Sequence, residues 1–106
     1  QVRTDAAFFV KRELFAWIED GKKTIELRKG RPSRGEIAVF KSGQKHLRLL
    51  ILKRETGSLA EVIRQDNFQQ IIPSAEKLQD VQNYLKDIYK TDQGPITAYY
   101  VDRVEK

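Results

Sequence analysis

The 106-residue sequence predicts an α+β fold: a small, mixed, partly open β-barrel of about five strands with flanking helices. Three observations predict it. Five segments are apolar in alternation or form short apolar runs bounded by turn residues. Between them, residues 11–20 and 58–89 carry apolar side chains at helical intervals. The order is strand, helix, three strands, a helical excursion and a closing strand, and curling five strands around one core removes edges that an open sheet would expose.

Asp5 to Val10 is short, apolar and bounded by charge, which predicts the first strand. Leu14, Trp17 and Ile18 then recur at helical spacing over Lys11 to Asp20, with Val10 extending the stripe, Phe15 partly off it and Trp17 the expected core anchor. Gly21 ends this helix, because glycine tolerates the left-handed conformation just beyond a last turn. From Thr24 to Arg28 the period becomes two: Ile25 and Leu27 face one way, and Thr24, Glu26 and Arg28 the other. An exposed loop follows, Lys29-Gly30-Arg31-Pro32-Ser33-Arg34-Gly35. Glu36–Phe40 and His46–Glu55 pair as a hairpin across a turn at 42–45. Leu47 and Leu49 to Leu52 supply both faces of its second strand, which predicts cover on both sides. His46, at the turn end, has no partner for acid–base work and is expected on the surface.

Ser58 and Glu61 have the spacing of a capping box ahead of Leu59, Val62 and Ile63. Asp66 to Ile72 predicts a second short helix closed by Pro73. Ser74 is the expected cap of a third, whose stripe is Leu78, Val81, Leu85 and Ile88. After Gly94-Pro95 the last strand runs from Ile96 to Val104. In it Tyr99 and Tyr100 point to opposite faces, one packing inward and the other free to stack or hydrogen-bond at a surface.

The length fits one domain spanning residues 1–106. Cysteine is absent and His46 is the lone histidine, which excludes disulfides, thiolate chemistry and Cys- or His-built metal centres. No metal and no cofactor is implied. Uninterrupted apolar runs such as Leu49–Leu52 are far below the ~20 residues of a membrane helix. With no signal-peptide pattern visible, a cytoplasmic location without membrane contact is the expectation. Charge is uneven: residues 1–54 hold 14 Lys/Arg against 6 Asp/Glu, whereas residues 55–106 hold 6 against 9. Residues 22–54 alone hold 11 basic and 2 acidic side chains. Such a field concentrates polyanions.

The densest positive charge adjoins the helix-to-strand junction Gly21-Lys22-Lys23-Thr24-Ile25-Glu26-Leu27-Arg28. Its polar face offers Thr24, Glu26 and Arg28 on rigid backbone, and the following loop adds Lys29, Arg31 and Arg34. No Walker or dinucleotide spacing occurs. On the residues alone, this row is either a small-ligand site or a solvated strand face with a surface ion pair worth roughly 0–1 kcal/mol.

Gly21, Lys23, Glu26 and Arg28 resemble the Gly-x-Lys-x-x-Glu-x-Arg signature of the ASCH domains. The helix before Gly21 is also similar, as are Gly35-Glu36-Ile37, Phe68 with Ile71-Ile72-Pro73, Asp87-Ile88-Tyr89 and the Tyr99-Tyr100 strand. The resemblance spans nearly the whole chain in order and implies a PUA-like β-barrel. It also implies an RNA- or nucleotide-binding cleft formed by Gly21, Lys22, Lys23, Thr24, Glu26 and Arg28, with Lys29, Arg31 and Arg34 nearby. Arg28 would present a planar fork to a phosphate or base edge, Lys23 a point charge, and Glu26 an acceptor for an exocyclic amine or a brace for Arg28.

One branch resembled here is enzymatic. Acetylcytidine amidohydrolases carry a threonine nucleophile at the position of Glu26, activated by the lysine. This sequence keeps Lys23, Thr24 and Arg28, but Thr24 stands two residues early. The branch's downstream glutamate falls near Ser74, with Glu76 the nearest acid. Hydrolysis of a modified nucleoside or of RNA, using Lys23, Glu26 and Arg28, is therefore the alternative to binding. A protein-interaction role in transcription or RNA metabolism is a third, and oligomeric state is left open.

Overall fold

A computed structural model describes residues 5–32, 34–89 and 94–103. The elements are β1 (Asp5–Phe9), α1 (Arg12–Glu19), β2 (Ile25–Lys29), β3 (Ile37–Ser42), β4 (Lys45–Gly57), α2 (Leu59–Val62), α3 (Phe68–Ile71), α4 (Leu78–Tyr89) and β5 (Ile96–Arg103). Ser33, Val104 and the side chains of Asp87, Ile88 and Tyr89 lie outside the described residues.

The five strands form one mixed sheet in the order β1-β3-β4-β5-β2, curled into a half-barrel. β1 runs parallel to β3, and the β3–β4, β4–β5 and β5–β2 pairs are antiparallel. The barrel stays open along a seam between β1 and β2, the two edge strands. Arg28 of β2 crosses the seam, its Nη2 donating to the Phe9 carbonyl at 3.0 Å.

Each sheet face has its own core. Inside the curl, Ala6, Phe8, Phe40, Leu49 and Tyr99 pack with Phe15 and Ile18 of α1. The Phe8 ring lies 5.4 Å from that of Phe40 and 4.9 Å from that of Tyr99. On the opposite face, Ile25, Leu27, Ile96 and Ala98 are covered by α2, α3 and α4 through Leu59, Val62, Phe68, Ile71, Val81 and Leu85. A bulge in β4 between Ile51 and Lys53 adjusts the register against β5.

Four local expectations change. Phe15, 2 % exposed, anchors α1 with Ile18, while Trp17 is only half-buried. α1 packs on the inner face through Phe15 and Ile18, the two of its side chains that enter that cluster. β4 is covered on one side only: Leu49 and Ile51 are buried, but Leu52 is 58 % exposed. Ser74 does not cap α4. The Asp80 carboxylate instead accepts from the backbone N–H of Glu76 and of Lys77, at 3.1 and 3.2 Å. Finally, Tyr100 is not a free surface ring: its hydroxyl donates to Glu55 at 2.7 Å and Lys53 lies over the ring.

The Ser58–Glu61 capping box forms as expected, with both reciprocal hydrogen bonds. His46 is exposed at the hairpin turn. Among the described residues, no helix is long and apolar enough to cross a membrane.

Candidate functional site

Gly21 makes the junction possible. Its φ of +82° turns the chain out of α1, and the N–H groups of Lys22 and Lys23 then both reach back to the Trp17 carbonyl. Thr24 joins two layers through its backbone, its N–H donating to the Gln70 carbonyl and its C=O accepting from Val101 N–H. β2 therefore starts at a fixed height, with Glu26 and Arg28 directed to the inner face and the seam.

Lys23 is 5 % exposed and Glu26 7 %. A charge this buried is tolerated only when paired and hydrogen-bonded. Lys23 Nζ donates to the carbonyls of Ile71 at 2.6 Å and Ile25 at 2.7 Å, and lies 3.5 Å from Glu26 Oε1. These three acceptors match the three N–H groups of an ammonium. The Ile71 carbonyl closes α3, so Lys23 clamps that helix onto β2. Burial pushes the Lys23 pKa below the ordinary 10.5, and the adjacent Glu26 opposes the shift.

Glu26 Oε2 accepts from Arg28 Nε at 2.9 Å. The Arg28 guanidinium lies 5.0 Å above the Phe8 ring and its side chain keeps 35 % of its exposure. Glu26, the seam and the Phe8 ring together fix the plane of the fork. Arg28 lines a cavity of about 410 Å³, well within the size of small-molecule sites.

Lys23, Glu26 and Arg28 share this cavity with Lys29 and Lys11. Its walls are apolar and come from five elements: Phe9 from β1, Leu14 from α1, Leu27 from β2, Ile71 from α3, and Tyr84 and Leu85 from α4, with Val10 and Ile72 beside them. Two cations, one carboxylate and further lysines thus meet an apolar slot in the seam. A larger hollow of about 650 Å³ lies by the β3–β4 turn, between Arg12, Phe15 and Lys45, but no buried ion cluster lines it.

Of the residues singled out from sequence, the cavity brings together Lys23, Glu26, Arg28 and Lys29. Gly21, Lys22, Thr24, Arg31 and Arg34 do not line it: Gly21 and Thr24 shape the backbone, while Lys22, Arg31 and Arg34 are exposed beyond it. The sequence reading missed Lys11, Leu14, Tyr84 and Phe9. Phe9 could have been found by the reasoning applied to Tyr99 and Tyr100, because adjacent residues of a strand must face opposite ways.

No protein-family model and no curated protein sequence matches the chain. Solved structures do. The hypothetical protein PH0355 superposes with a TM-score of 0.73 at 15% identity, over 95% of this chain and all of that one. ASCH from Zymomonas mobilis gives 0.69 at 17% identity, over 95% of this chain and 68% of that one. PF0455 from Pyrococcus furiosus, solved by NMR, gives 0.69 at 16% identity, over 97% and 100%.

Proposed function

Since the chain has the fold of ASCH structures, we propose that it is an ASCH-domain protein that binds RNA or a nucleotide in the seam cavity. One observation carries this reading: the Glu26–Arg28 pair, braced from behind by Lys23, faces an apolar-walled cavity with lysines at its rim. A base fits the slot between Leu14, Ile71 and Tyr84, where its π-faces meet apolar and aromatic walls. Arg28 donates to carbonyl or ring-nitrogen acceptors on the base edge, and the second lone pairs of Glu26 accept from an exocyclic amine. Lys11 and Lys29 attract the phosphate as flexible point charges.

The hydrolase alternative has less support. As general base or activator, Lys23 needs a free lone pair, and its bonds to Ile25, Ile71 and Glu26 must first break. Those contacts favour a bracing role over proton transfer.

The test is calorimetric titration of nucleoside monophosphates and short single-stranded RNA at low salt, comparing Arg28→Ala with wild type. Losing a charge-assisted hydrogen bond of about 1.5–3 kcal/mol weakens binding roughly 10- to 100-fold. Equal affinity in the two proteins removes the cavity from the account.

A further inference from the structure

Resting on that reading and extending it, we infer that the ligand is a single strand of RNA that leaves the cavity over the outer face of β1, β3 and β4. Phe9 begins the track. It is 71 % exposed, whereas its neighbour Phe8 is 4 % exposed in the core. Phe9 also lines the cavity, its carbonyl accepting from Arg28 in the seam, so the exposed ring belongs to a residue that borders both the cavity and the outer face.

The pairing register shows what lies next to it. Phe9 is level with Lys41 of β3, which is level with His46 of β4. Lys41 Nζ sits 5.6 Å from the Phe9 ring centre. One step along the strands, Ala7 is level with Val39 and Val39 with Arg48. These two rows put an aromatic ring, two small apolar groups, two cations and an imidazole on one open face, with no carboxylate among them. The next row is acidic at both ends, with Asp5 level with Ile37 and Asp102 level with Leu50, so the basic track ends there.

An exposed ring flanked by cations on a sheet is the arrangement by which single-stranded nucleic acid is held. A base stacks on the ring, and its phosphates run over lysine and arginine. A duplex cannot offer an unstacked base to Phe9 or to the slot behind it. A protein partner is the poorer fit, because lysine is depleted from the centre of protein interfaces.

Fluorescence anisotropy with a labelled single-stranded hexanucleotide, alongside nucleoside monophosphate binding to the same protein, tests the track. The hexanucleotide is expected to bind at least about ten-fold more tightly, since each stacked base alone contributes that order. Lys41→Gln combined with Arg48→Gln is expected to abolish that advantage and leave the monophosphate affinity unchanged. Losing two phosphate contacts is also expected to flatten the log–log salt slope by about 1.4. The inference is overturned if the hexanucleotide binds no better than the monophosphate, if the double variant weakens both equally, or if a duplex binds as well as the single strand. It is likewise overturned if sedimentation shows a dimer that the Lys41→Gln, Arg48→Gln variant no longer forms. Monophosphate binding without any length effect defeats the track alone. Failure of both ligands defeats the cavity as well.

Discussion

Replacing Lys23 with methionine separates the bracing role of that ammonium from a chemical one. Methionine keeps the aliphatic stem and removes the charge. It leaves the carbonyls of Ile25 and Ile71 without their donor and strips one partner from Glu26. Breaking a buried ion pair costs roughly 3–5 kcal/mol; because Arg28 still holds Glu26 at 2.9 Å, the lower end, about 3 kcal/mol, is expected. For a chain of this size that lowers Tm by roughly 12–24 °C. With an m-value of about 1–3 kcal/mol/M, the urea midpoint moves by about 1–3 M.

The pH dependence adds a signature. Because burial lowers the pKa of Lys23 in the folded state, the native protein loses this proton before the unfolded chain does. Between the two pKa values the unfolded state binds more protons, so this contribution to stability rises with pH up to about 10.5. The methionine variant lacks that rise. Paired urea melts of both proteins, from neutral to alkaline pH, measure both effects. A cost below about 1 kcal/mol, the worth of one ordinary hydrogen bond, would refute the clamp and leave the ammonium available for a ligand or a proton.

Other substitutions probe the parts around the site. The Tyr100 hydroxyl bond, then Arg64 and Lys53, hold the Glu55 pKa below the ordinary carboxylate value. That stability is complete above about pH 4.5 and fades as pH falls through the lowered folded-state value, so acid melts of Glu55→Gln are expected to lack this loss. Ser58→Ala removes the hydroxyl that accepts from Glu61 N–H and is expected to cost about 1 kcal/mol in urea denaturation. Leu52→Glu, on the uncovered face of β4, is expected to change stability by less than about 0.5 kcal/mol. A loss of several kcal/mol there would show that the face is covered after all.

Much of the fold was legible because its signals are local. Alternation from Ile25 to Arg28, the turn at 42–45 and the Ser58–Glu61 spacing each need only a few neighbouring residues, and all three form as read. What failed depended on distant partners. Whether Trp17 or Phe15 anchors α1 is decided by how the barrel curls over it. Whether Leu52 is covered depends on where α2–α4 stop, and helical spacing cannot show that.

The candidate site divides the same way. Lys23, Glu26 and Arg28 were visible as a motif, but Ile71, which accepts from Lys23, is 48 residues away in sequence. Leu14 and Tyr84 reach the cavity only because α1 and α4 flank the same seam. Arg31 and Arg34 were grouped with the site by nearness in sequence, but the loop carries them past the cavity.

The most direct measurement is a two-dimensional ¹⁵N–¹H NMR titration of the protein with a nucleoside monophosphate at low salt. The expected result is saturable shifts of the Arg28 Nε–H and of the backbone amides of Lys11, Leu14, Lys29 and Ile72, which surround the seam cavity. Signals that stay fixed there, or that move only around the β3–β4 turn, would contradict the site.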